Sequence, residues 1–247
     1  MKRLFASFLL ALASLTTTDS VSAQGSNWQY EATVYLFMPE SKTAITTPAG
    51  RIEGTLSFSD ALDNLDFAFM GAFGASNGQW SFLIDYMYND LSFGNATPGP
   101  AHSGLNTSMT TKILNGYVGY RVYDSGSAQV DIAGGFRWFD TNTALTLLPG
   151  TQPQRTAVAD ASWVDPVIGV RARVDFSERW QGTAFVDYGG FSSDNETWQV
   201  LLTADYELND NWMLRGGYRY ISMENIVNGN PFEFSQSGPI FGATYRF

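Results

Sequence analysis

Few residue types in this chain could carry chemistry. It has no cysteine and one histidine, so neither a disulfide framework nor a thiolate metal site can form. That histidine, His102, stands beside Ser103 in the run PGPAHSG. A base beside a hydroxyl is half of a nucleophile, but a third group must hold the base in reach. The Gly/Pro-rich surroundings offer none, so no catalytic residue is assigned. Asp60, Asp63 and Asp66 fall at helical spacing and carry oxygens of the kind Ca²⁺ takes. They lack the dense, glycine-kinked pattern of a calcium loop, and a solvated helix face accounts for them. No metal and no cofactor is expected. The pairs Gly134-Gly135, Gly189-Gly190 and Gly216-Gly217 lack the strand-to-helix context of a phosphate cradle. They mark strands that bend or pack closely.

The remaining chemistry is a set of charged side chains set among apolar residues at alternate positions. They are Glu31, Asp85, Arg121, Asp131, Arg137, Asp165, Arg171, Arg173, Asp187, Asp205, Arg215 and Arg219. Beyond the first few residues, lysine occurs only at 42 and 112. A guanidinium offers fixed, forked donors to carboxylates, so arginine suits enclosed ion-pair ladders. The chain as a whole is acidic, with 14 basic and 24 acidic residues and a net charge of −10. That balance argues against nucleic-acid binding, which rests on neutralising phosphates.

The elements that must position these charges alternate with period two. Val130, Ile132, Phe136 and Trp138 oppose Gln129, Asp131, Arg137 and Thr141, and strand side chains point to opposite faces in turn. Similar splits recur along the chain and give ten strands, with eight as the alternative. Connections at 76–79, 123–128, 177–179 and 208–211 read as tight. Those at 39–65, 94–106, 142–156, 192–196 and 226–230 read as longer. The first of these holds an expected hairpin at Pro48-Ala49-Gly50 and a short helix capped by Ser59, and it is a candidate plug. Trp80, Trp180 and Trp212 each open a strand directly after a tight turn, where an interfacial aromatic girdle sits. Pro166 falls inside a strand, where a bulge or a missing hydrogen bond is expected.

Two segments give an address. Lys2 and Arg3 precede an apolar run and the small-residue triplet Val21-Ser22-Ala23, the pattern of a secretory signal peptide. We therefore divide the chain into 1–23, a cleaved signal, and 24–247, one domain. The other segment is the last strand, PFEFSQSGPIFGATYRF, whose outer set ends in Phe241, Ala243, Tyr245 and Phe247, with Ile240 as an apolar exception on the polar face.

That last strand resembles the closing strand of Gram-negative outer-membrane β-barrels. Together with LDFAFMGAF, WSFLIDYMYNDLSF and DPVIGVRARVDF, it makes the domain resemble the small barrels of the OmpA/OmpW type. The resemblance implies an all-β, transmembrane, antiparallel up-and-down barrel in the outer membrane of a Gram-negative bacterium. It implies contact with outer-membrane lipid and lipopolysaccharide, and recognition of Tyr245 and Phe247 by the barrel-assembly machinery. The twelve charges then line a largely filled lumen, and the leading role is structural or surface-interacting. A narrow passive channel for small solutes or ions is the second reading. The third is a hydrolase or lipid A-modifying enzyme, since omptin-type proteases also use ten strands.

Overall fold

In the computed structural model the residues described are 28–247, apart from 49, 98 and 193. The expected signal at 1–23 lies outside them. The chain forms β1 (Gln29–Phe37), β2 (Glu40–Thr47), β3 (Gly50–Leu56), α1 (Phe58–Asp63), β4 (Leu65–Ser76), β5 (Trp80–Asn95) and β6 (His102–Asp124). It continues through β7 (Ala128–Pro149), β8 (Arg155–Asp175), β9 (Trp180–Ser192), β10 (Asn195–Glu207), β11 (Trp212–Val227) and β12 (Asn230–Arg246). Strands β1 and β4 to β12 pair antiparallel in chain order, and β1 returns to β12 to close the ring. Ten staves result, not eight. We call the end carrying residues 77–79, 125–127, 176–179 and 208–211 the turn end, and the opposite one the loop end.

The 39–65 segment raises the wall and does not plug the lumen. β1 pairs with the lower part of β12, from Glu31↔Arg246 to Phe37↔Ile240. β2 continues along its upper part, from Ser237↔Glu40 to Phe232↔Ile45. The Met38 amide donates to the Pro239 carbonyl at 3.0 Å and carries the seam across the break. β3 then folds back on β2. The helix cap is Ser57, not Ser59: the helix starts two residues earlier, and the Asp60 amide donates to Ser57 Oγ. No residue of α1 is buried.

Several connections are shorter than their composition suggests. β6 starts at His102 inside the expected 94–106 loop, and β7 and β8 run to Pro149 and from Arg155. The β6–β7–β8 hairpins keep pairing well past the apolar belt, as in Leu105↔Leu147 and Leu147↔Arg155. The expected 226–230 loop is a tight hairpin turn on Asn228 and Gly229, both at positive φ (52° and 79°), which suits a two-residue turn between twisted strands. Pro166 stays in unbroken register with Phe136 of β7. Pairing with β9 begins only at Val167↔Gly189, so the proline stands where no amide is required by that neighbour.

The outer face is apolar and bounded by two aromatic bands. At the turn end Trp80 meets Tyr120, Trp180 meets Tyr206 and Trp212 meets Tyr245, with centroids 4.8, 4.9 and 5.0 Å apart. Tyr88, Tyr188, Trp198 and Tyr220 form a second band, each eight positions along its strand from Trp80, Trp180, Tyr206 and Trp212. Eight residues rise about 26 Å along a strand, or about 20 Å along the axis of a tilted barrel, near the height of an outer-membrane belt. Phe82, Ile84, Phe136, Val186, Leu202 and Phe241 lie outward between the bands.

Candidate functional site

The inward face holds three layers, and inward parity decides their members. The central layer is a ring of hydrogen bonds crossing the lumen. Arg137 Nη2 donates to both oxygens of Asp187 at 2.9 and 3.0 Å, and its Nε donates to Asn115 Oδ1 at 2.8 Å. Asn115 Nδ2 donates to Asp85 at 3.1 Å, and Arg219 Nη2 donates to the same carboxylate at 2.8 Å. Arg219 Nε donates to Gln199 Oε1 at 2.7 Å, and Gln199 Nε2 donates to Asp187 at 2.9 Å. The circuit is closed and neutral: two guanidiniums, two carboxylates and two amides. Tyr117 Oη donates to Asp187, Tyr35 Oη donates to Asp85, and Thr197 Oγ1 accepts from Arg137 Nη1. Arg137 is 0% exposed and Asp187 1%, so charge is tolerated here because the charged atoms of both are engaged by hydrogen-bond partners.

Charge alone does not find this ring. Tyr35, Asn115, Tyr117, Thr197 and Gln199 are neutral members that a search for ionisable residues omits, and the signal for them is inward parity. Nor does register give the partners. Arg137 lies opposite Asp165 on β8, yet it reaches Asp187 on β9. Asp165 accepts instead from Trp163 Nε1 at 2.9 Å and Asn195 Nδ2 at 2.6 Å. Gly169 is the β8 neighbour of Asp187, and a Cβ there would lie 2.9 Å from the Asp187 Cβ. Gly135 is more constrained, since its Cβ would fall 1.9 Å from the Gly116 carbonyl oxygen.

On the loop side of the ring the lumen turns apolar. Phe37, Met70, Met87, Ile113, Phe139, Ile221, Met223, Phe234 and Ile240 form one buried cluster. Ile240 is the residue that breaks the polar pattern of the last strand, and it does so because it belongs to this layer. The Arg219 guanidinium lies 5.9 Å from the Phe37 ring centroid and joins the two layers by a cation–π contact.

On the turn side, Asp131 accepts from Arg121 Nε, from Arg171 Nε and Nη2 at 3.1 and 2.8 Å, and from Arg173 Nη2 at 3.1 Å. Across the lumen Asp205 accepts from Arg215 Nε at 2.8 Å and Thr183 Oγ1 at 3.2 Å. Of these groups Arg121, Arg171 and Arg173 line a cavity of about 700 Å³, as does Glu31. Eleven of the twelve predicted charges therefore make hydrogen bonds in the interior, and Glu31 lines the cavity.

The other candidates are dispersed. His102 Nδ1 lies 3.1 Å from the Leu148 carbonyl, and Ser103 Oγ donates to the Pro149 carbonyl at 2.8 Å. Both tie β6 to the end of β7. Asp60 and Asp63 sit on α1, and Asp66 on β4 accepts from Ser92 Oγ. Among the described residues no group of three or more His, Cys, Asp or Glu converges.

Above the second aromatic band, Glu196, Glu224 and Glu233 lie directly opposite one another across β10, β11 and β12. Arg51 Nη2 donates to Glu233 at 2.8 Å, and this hydrogen bond holds the Glu233 carboxyl below its usual range. Glu224 has no such partner among the described residues; burial first, then Glu233 and Glu196, push its carboxyl upward. A raised carboxyl destabilises the fold above the ordinary carboxylate range and is relieved as pH falls through the raised value. Glu224→Gln should therefore raise the urea midpoint at neutral pH, and the gain should vanish below the ordinary carboxylate range. Equal midpoints at neutral pH would show that the three carboxylates do not repel.

Ten antiparallel strands closed on themselves, an outer apolar belt between aromatic bands and a polar interior define the outer-membrane β-barrel fold. The same architecture is found in the outer-membrane protease OmpT from Escherichia coli, with a TM-score of 0.55 and 10% identity over 89% of this chain and 96% of that one. The translocator domain of the autotransporter NalP from Neisseria meningitidis matches with a TM-score of 0.43 and 14% identity, over 98% of this chain and 96% of that one. Neisserial surface protein A matches at 0.35 and 15%, over 90% and 98%. No protein-family model matches the chain, and no curated protein matches it. At such identities the likeness is one of fold, and these proteins do not share one role.

Proposed function

We propose that this protein is a sealed integral outer-membrane barrel with a structural or surface-interacting role, allied to the small barrels of the OmpA/OmpW type. The observation that carries this reading is the filled cross-section: a closed, neutral ring of polar side chains lies directly beneath a buried apolar layer. An ion moving through would have to leave water, break paired donors and pass hydrocarbon, each step costly in a low-dielectric interior. The reading places lipid around the belt, lipopolysaccharide at the loop end, and the turn end in the periplasm after export. Tyr245 and Phe247 serve the assembly machinery. The β6–β7–β8 hairpins, standing beyond the upper aromatic band, are the surface available to partners. A catalytic role is not part of the proposal, because His102 and Ser103 are each engaged with backbone carbonyls and not with one another.

Planar-bilayer recording tests the seal. The purified protein, shown to be folded by its altered mobility on unheated gels, should insert without conductance steps. Regular steps of one size, absent when the boiled protein is added, would replace this reading with that of a narrow channel.

A further inference from the structure

We infer that the cavity at the turn end is a binding pocket for a small, water-borne oxyanion of the phosphate or phosphomonoester class, with Arg173 as its principal ligand. The inference goes beyond the sealed-barrel reading, since it concerns a pocket beneath the seal and holds whether or not the lumen conducts.

The argument starts from donor and acceptor arithmetic. Three guanidiniums, on Arg121, Arg171 and Arg173, converge on the single buried carboxylate of Asp131. A carboxylate offers about four lone-pair sites. Asp131 already accepts Arg121 Nε on one oxygen and Arg171 Nε, Arg171 Nη2 and Arg173 Nη2 on the other. The oxygen that Arg173 shares with Arg171 is oversubscribed, with three donors on about two lone pairs.

The three arginines are not equally served. Arg121 also donates to Asp124 at 2.9 Å, and Arg171 also donates to Ser81 Oγ at 2.9 Å. Among the described residues Arg173 has only its bond to Asp131, and its Nε is buried without a hydrogen-bond partner. A buried, unpartnered donor on a charged group is costly, and three like charges held together add to that cost. The like-charge cost is relieved by an acceptor with several oxygens and negative charge that meets the accessible part of the Arg173 side chain, which is 24% exposed.

There is room for one. Arg121, Arg171 and Arg173 all line the cavity of about 700 Å³, which is open to solvent at the turn end. Its lining includes Ser81 and Leu83 but no member of the ring of Arg137 and Arg219, so it is a pocket below the ring and not a passage through it. The opening lies inside the barrel, away from the outer belt, which favours a ligand arriving from water over a lipid headgroup. Rim residues Asp175, Glu178 and Asp210 stand with Arg179, and Glu207 pairs with Arg246. The mouth is thus mixed in sign, and the attraction for an anion is local to the floor. Arginine at that floor matches a tetrahedral oxyanion through forked, charge-assisted bonds.

Titration calorimetry with inorganic phosphate, on the protein folded in maltoside micelles at constant ionic strength in chloride, tests this. The native chain should give one saturable site, and phosphate should raise its urea midpoint. Arg173→Gln should weaken binding by about tenfold or more, the loss expected when a charge-assisted hydrogen-bonding group is removed. Arg179→Gln, at the rim, should stay near the native affinity. If Arg173→Gln does not reach the folded gel mobility, Glu31→Gln reads the same floor with opposite sign. Removing that carboxylate should tighten phosphate. Absence of a saturable site in the native protein, equal affinity in Arg173→Gln, a loss in Arg179→Gln as large as in Arg173→Gln, or unchanged or weaker binding in Glu31→Gln would each overturn the assignment.

Discussion

Replacing Arg137 with alanine should cost about 3–5 kcal/mol of folding free energy, the loss typical when one partner of a buried ion pair is removed. The reason lies in what is left behind. Asp187 keeps bonds from Tyr117 and Gln199 but loses its one cationic partner among the described residues. Asn115 Oδ1 and Thr197 Oγ1 lose the guanidinium donors that reach them. Equilibrium unfolding in lipid vesicles measures the loss. The double variant Arg137→Met with Asp187→Leu removes both charges and keeps much of the volume, so it should recover most of it. A cost below about 1 kcal/mol for the single variant, the value of an exposed pair, would mean that water reaches Arg137 and that the seal is not dry. A double variant as unstable as the single one would mean that the volume of the guanidinium matters, not its charge.

An arginine at Phe136 should cost about 2–4 kcal/mol, and one at Ile132 on the same face about 0–1 kcal/mol, because the cost of a lipid-facing charge falls from the midplane to the interface. The two aromatic bands decide which is which. Ile132 pairs with Tyr120, the partner of Trp80 in the turn-end band. Phe136 pairs with Gly116, whose other neighbour Ile84 lies midway between Trp80 and Tyr88. Phe136 also covers Gly116, since a Cβ on that glycine would meet its ring at 2.6 Å, so part of any loss there is lost packing. Leu202→Arg separates the two effects: Leu202 is 51% exposed on the outer face and lies midway between Trp198 and Tyr206. It should match Phe136→Arg in cost. Vesicle-folding measurements that rank Ile132→Arg as the worst of the three would misplace the belt. Asp131→Asn is a poor control for facing, because that change leaves three guanidiniums around one uncharged acceptor.

The sequence by itself determined what depends on local chain geometry. Strand side chains must alternate, so parity alone separated Val130, Ile132 and Phe136 from Asp131 and Arg137, and placed the charged set on one face. Tight turns followed from Asn, Asp and Gly, and the girdle tryptophans from their place after those turns. Composition misjudged the loops, because the polar, Thr- and Asn-rich run after Arg137 suits a wet strand as well as a coil, and only pairing between β7 and β8 distinguishes them. The helix cap moved from Ser59 to Ser57 for a similar reason: several serines qualify, and the position at which the chain leaves β3 selects one. Tertiary structure alone decided who meets whom across the lumen. Ring closure brings Asp85, Arg137, Asp187 and Arg219 into one circuit through Asn115 and Gln199, although these residues come from six different strands. Arg137 passes over its register partner Asp165 to reach Asp187, a choice set by barrel curvature and by the space beside Gly169. Separation along the chain carries no record of either, because both arise only when the first strand meets the last.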